Sequence, residues 1–120
     1  MAYKRTDRVN ALLQRELARV VSEELNDPRI RFPTVTAVET TPDLRTARVH
    51  VSFLGDEVTV REAMRALERA KHHLRRVIGE RTELRYVPEL VFVEDRSAAR
   101  AARISSLLRE AREREGHAGG

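Results

Sequence analysis

Five side chains in the middle of the chain are placed to grip phosphate. Arg61, Arg65, Arg69, His72 and Arg76 recur at spacings of four, four, three and four. On a helix advancing about 100° per residue they form one ridge. On the other side, Val60, Met64, Ala70, Leu74 and Ile78 fall within about 60° of Leu67, an apolar face. Between Thr59 and Arg81, seven cations (Arg61, Arg65, Arg69, Lys71, Arg75, Arg76, Arg81) stand against three acids (Glu62, Glu68, Glu80). That excess equals the net charge of the whole 120-residue chain, +4, so the remainder is neutral overall. A basic stripe of this kind is the footprint of nucleic-acid binding. Guanidinium groups suit the task because they fork phosphate oxygens and stack on bases. The plainer alternative is a solvated helix face laced with i, i+4 pairs. But like charges at Arg61, Arg65 and Arg69 repel one another, so stability alone is poorly served. Glu68 lies at the margin of the ridge and weakens it locally. Lys71 and Arg75 flank it, and Arg5 and Arg8 on the first helix are candidates to extend it.

Other chemistries find little to work with. No G-x-x-x-x-G-K-[S/T], G-x-S-x-G or G-x-G-x-x-G occurs. Three of the five glycines sit in the last five residues, which leaves no loop to cradle a phosphate. His72 and His73 are neighbours, not the i, i+4 pair that shares a metal. The carboxylates mostly alternate with arginine, as solvated charges do. With no cysteine there is no disulfide, thiolate metal site or cysteine nucleophile. No catalytic residue, cofactor, metal or small-molecule substrate is expected. No apolar run approaches the roughly 20 residues of a membrane span. No signal-peptide core follows Met1-Ala2-Tyr3-Lys4-Arg5. A soluble, cytoplasmic, non-enzymatic protein is the expectation. Arginine outnumbers lysine 21 to 2, which codon bias would also produce.

These residues need a scaffold. Val9, Leu12, Leu13, Leu17, Val20, Val21 and Leu25 mark a helix with one buried stripe over 6–26. Thr6 or Asp7 can cap its start, and Asn26-Asp27-Pro28 ends it. Thr34–Thr40 is β-branched and reads as a strand. Ala47, Val49, Val51 and Phe53 alternate with polar residues, the period of a half-buried strand. Pro42 and Asp43 make the turn between them, and Gly55-Asp56 ends the second strand. Thr59-Val60-Arg61-Glu62 fits a capping box. The helical pattern then holds phase to Ile78, with Gly79 as a stop. It fits one long helix or two meeting at a kink. A third strand is expected over 88–94, with Pro88 at its start. A last, marginal helix follows, with Ile104, Leu107, Leu108 and Ala111 as a thin stripe. The reading is α+β, with a three-stranded sheet covered by helices on one face. Aromatics are scarce, and Phe53 and Phe92 are expected in the core. That disfavours a stacking platform on the sheet and favours phosphate and shape contacts with structured RNA.

The order α-β-β-α-α-β, plus a C-terminal helix, resembles a type II KH domain. No G-x-x-G stands between its middle helices; the one literal match, Gly116-His117-Ala118-Gly119, is in the tail. The chain more closely resembles the ribosome-binding factor A family, bacterial assembly factors of the small ribosomal subunit. The likeness covers residues from about 5 to 110. It rests on Arg8-Val9, Asp27-Pro28-Arg29, Pro42-Asp43-Leu44-Arg45, Val51-Ser52-Phe53-Leu54-Gly55-Asp56, Leu84-Arg85-Tyr86-Val87-Pro88-Glu89-Leu90 and Arg103-Ile104-Ser105-Ser106-Leu107-Leu108, in that order. The resemblance implies a KH-like fold in which an interhelical Ala-X-Gly kink replaces the GXXG loop. It also implies binding to the 30S subunit, late 16S rRNA processing and a link to cold adaptation. The kink would map to Ala70-Lys71-His72, where the glycine is His72.

The combined expectation is one KH-like RNA-binding domain over 1–115, with 116–120 a disordered tail, working as a monomer on the 30S subunit and its 16S rRNA. The rival from another class is a small α/β protein–protein interaction or ligand-sensing module without RNA binding. A general nucleic-acid binder is a third possibility.

Overall fold

The computed structural model describes residues 5–24, 28 and 33–118. Over these, the chain runs α1 (Arg5–Glu24), β1 (Thr34–Thr40), β2 (Thr46–Ser52), α2 (Glu57–Arg81), β3 (Glu89–Glu94) and α3 (Ser97–Ala118). The expectations for Tyr3, Lys4, Leu25, Asn26, Asp27, Arg29 and Gly119-Gly120 lie outside the described residues.

The strands form one sheet in the order β1-β2-β3. β1 and β2 are antiparallel, with Val38 opposite Val49 and a register shift between Val35 and Ala37. β2 and β3 are parallel, with Val49 opposite Phe92. Parallel neighbours need a long crossover, and α2 supplies it. Alternation sends Ala47, Val49 and Val51 to one face, all fully buried. Leu90 of β3 shares that face beside Ala47, and against it lie Leu13, Leu17 and Val20 of α1 and Leu67, Leu74 and Ile78 of α2, all at zero exposure. α1 packs on β1 and α2, and α2 packs on β3. Each such aliphatic side chain contributes about 1.5–3 kcal/mol by leaving water. Phe92 is buried in this core, and Phe53 is half-buried against it. Asn10 fastens α1 to β1: its Oδ1 accepts from Thr40 N at 2.8 Å and Thr40 Oγ1 at 2.6 Å.

Several boundaries differ from the sequence reading. α1 begins at Arg5, so Thr6 and Asp7 lie in its first turn. There Asp7 complements the helix dipole. α2 begins at Glu57 rather than Thr59, because Asp56 is the N-cap. Its Oδ1 accepts from Thr59 N at 2.8 Å, the bond an N-cap carboxylate makes to N3. Gly55 precedes the cap at φ +128°, where a Cβ would come within 2.9 Å of Thr59 Cγ2, so glycine is required. At the other end, Gly79 does not stop the helix. Thr82 caps it, its N–H donating to Ile78 O at 3.0 Å and its Oγ1 at 2.8 Å. α2 is therefore one helix of 25 residues, and Ala70-Lys71-His72 lies inside it without a break. His72 brings neither the freedom of glycine nor the clash of proline that interrupts a helix. α3 runs to Ala118, through Gly116, beyond the expected start of the tail. It is exposed from Ser97 to Gly116, Ile104, Leu107 and Leu108 included.

Candidate nucleic-acid interface

α2 positions the ridge because its apolar face is occupied. With Val60, Ala63, Ala66, Leu67, Leu74, Val77 and Ile78 buried, the opposite face must point to solvent. Arg61, Arg65, Arg69, His72 and Arg76 are all exposed there. No hydrogen bond or ion pair among the described residues engages Arg61, Arg65 or Arg69. Three guanidinium groups on successive turns are left to meet an external anion. Arg76 Nη2 lies 3.0 Å from His73 Nδ1, a local contact that leaves the residue exposed.

The flanking cations divide differently. Lys71 Nζ pairs with Glu68 Oε2 at 2.6 Å, which neutralises both at the ridge margin. Arg75 is half-buried, and its Nη2 donates to Val87 O at 2.8 Å. Its Nε is buried with no partner among the described residues. Arg75 thus ties α2 to the segment leading into β3. Arg8 is exposed at the start of α1.

Arg5 is the first residue of α1. It lines a groove of about 760 Å³ with Arg45 of the β1–β2 turn and with Arg85 and Tyr86 of the α2–β3 connection. No ridge residue lines it. Sequence periodicity could not reveal this grouping, because its members come from three segments far apart in the chain. The two short stretches Pro42-Asp43-Leu44-Arg45 and Leu84-Arg85-Tyr86 are its only trace in the sequence.

Among the described residues, no cluster of His, Asp and Glu could hold a metal ion. No described helix is long and apolar enough to cross a membrane.

Fold and surface together define a KH-like α+β module that presents a cationic helix face. Residues 5–108 match the family model for ribosome-binding factor A. The chain belongs to the ribosome-binding factor A family. It is 44% identical over 113 residues to ribosome-binding factor A of Nitrosococcus oceani, covering 94% of this chain and 89% of that one. It is similar to the crystal structure of ribosome-binding factor A from Thermus thermophilus. That likeness has a TM-score of 0.69 at 33% identity, over 79% of this chain and 100% of that one. It is also similar to a homology model of the Thermus thermophilus factor fitted into a cryo-EM map of its complex with the 30S subunit. There the TM-score is 0.64 at 34% identity, over 72% of this chain and 91% of that one.

Proposed function

We propose that this protein binds the 30S ribosomal subunit through the exposed face of α2 and assists late subunit maturation and 16S rRNA processing. Arg61, Arg65 and Arg69 hold rRNA phosphates, with His72 and Arg76 continuing the row. Arg8 and Arg5 add positive charge at the start of α1, and Lys71 and Arg75 chiefly shape the helix that carries the row. The observation behind this reading is the row of three arginines that find no partner among the described residues. The work is binding rather than catalysis, and the protein acts in the cytoplasm as a monomer, with residues 1–115 as the working unit.

The test is co-sedimentation of the purified protein with separated 30S and 50S subunits at two salt concentrations, with bulk tRNA as competitor. Selective, salt-sensitive binding to 30S is expected. The double variant Arg65→Glu, Arg69→Glu stays folded, because exposed substitutions shift stability by about 0.5 kcal/mol or less. It should bind 30S at least about tenfold more weakly, with the slope of log affinity against log salt shallower by about 2. Unchanged affinity in the folded variant would remove the ridge from the interface.

A further inference from the structure

The groove beside Arg5 is not part of the ridge, and its chemistry is different. Tyr86 stands in it 59% exposed, although aromatic side chains are few in this chain. Around it are three guanidinium groups (Arg5, Arg45, Arg85), two carboxylates (Asp43, Glu83) and an apolar wall that includes Leu44 and Leu84. This mixture is too acidic for a site that takes bare phosphate. It suits a ligand with an aromatic face, a polar edge and one or two negative charges.

The groove is also well braced. Thr41 N donates to Thr46 O at 2.9 Å, and Leu44 N to Thr41 O at 2.8 Å. Asp43 Oδ1 accepts from Arg45 N at 3.1 Å and from Thr41 Oγ1, so that oxygen is taken up within the turn. Leu44 takes a left-handed conformation, φ 62°, which a leucine holds only where the surroundings impose it. Its side chain packs against the core, and Arg45 follows at the rim. Arg45 O accepts from Glu89 N at 2.8 Å, lashing the turn to β3. The Arg75–Val87 bond and buried Pro88 hold the other wall. Two loops are thus fixed against each other around an exposed aromatic ring.

We propose that this groove takes one unpaired nucleotide of RNA. The base stacks on Tyr86, Arg45 and Arg85 hold its flanking phosphates, and Glu83 accepts from an exocyclic amine at the base edge. A paired base cannot offer its face, so the occupant is a base splayed from a loop, bulge or single strand. The inference rests on the RNA-binding reading and assigns it a second subsite.

Tyr3 and Tyr86 are the only tyrosines, and there is no tryptophan. In a Tyr3→Phe variant, tyrosine fluorescence therefore reports Tyr86 alone. The probes are a mixed-sequence single-stranded RNA hexamer, its duplex and inorganic polyphosphate. Saturable quenching by the single strand is expected, with none from duplex or polyphosphate. Tyr86→Leu, added to that variant, should bind the fluorophore-labelled hexamer about tenfold more weakly, with an unchanged thermal midpoint because the ring is exposed. Absent quenching, equal quenching by polyphosphate, or equal hexamer affinity in the Tyr86→Leu protein overturns the groove assignment. Co-sedimentation with 30S separates the two readings. Retained subunit binding without quenching sinks the groove alone, whereas quenching without subunit binding sinks the subunit reading alone.

Discussion

Asp95 accepts from Ser97 and from Thr36, and those hydrogen bonds hold its carboxyl down at about 2, against an ordinary 3.8. Its Oδ2 lies 2.7 Å from Thr36 Oγ1, and its Oδ1 accepts from Ser97 N at 2.8 Å. One side chain thus takes up the first N–H of α3 and fastens that end to β1. A depressed folded value means the stabilisation is present above the unfolded value and lost as pH falls through the folded one. Asp95→Asn should therefore lower the thermal midpoint at pH 7, and its gap from the parent should close between about pH 4 and pH 2. A gap constant across that window would show that the carboxylate's charge contributes nothing. The same residue marks a limit of sequence reading. Its tie to Thr36 spans 59 positions and leaves no local sign in the sequence. Asp56 shows a different failure. The sequence pattern assigns it to the end of β2 and gives Thr59 the cap that Asp56 makes. Two short polar residues three apart compete for one role, and only the backbone angle decides.

At the scale of elements, α2 is legible because its burial follows a single period. The face deduced from that period is the one the structure exposes. β2 is legible for the same reason, since it alternates without interruption, whereas β1 shows in the sequence through its β-branched residues. Whether the long pattern breaks at Ala70-Lys71-His72 is not legible, because either arrangement keeps the same stripe buried. α3 presents the opposite case. Its arginine and glutamate content suggests a marginal helix, and the structure gives it regular geometry with almost no packing. Ile104, Leu107 and Leu108 stay 55–57% exposed, so they add little to the core. Leu107→Ser with Leu108→Ser should leave the stability within about 0.5 kcal/mol of the parent in thermal unfolding. A Leu74→Ala control should lose about 2–5 kcal/mol. A large loss from the double serine variant would mean that α3 packs on the body in solution.

Taken whole, the molecule is long for its mass. Its extents are 67 × 42 × 19 Å, and its radius of gyration is 18.5 Å. A compact chain of this length would give about 14 Å. The difference comes from α3, which leaves the two-layer body. Small-angle X-ray scattering in dilute solution should return a radius near 18.5 Å; a value near that of a compact body would place α3 against it. The parallel pairing of β2 with β3 has a consequence for how the chain comes to be made. During synthesis the β1–β2 hairpin emerges before α2 and β3 and needs only a short turn to close. One edge of β2 then waits, unpaired, until residues 89–94 have been added and α2 has folded across. Domains assemble from the N-terminus as they emerge, and non-local strand pairing comes late and slowly. The nascent chain therefore passes through an interval with a bare strand edge beside it, on the very ribosome that is producing it. For a member of the ribosome-binding factor A family, the last strand to arrive is also the one that brings Arg85 and Tyr86 into place.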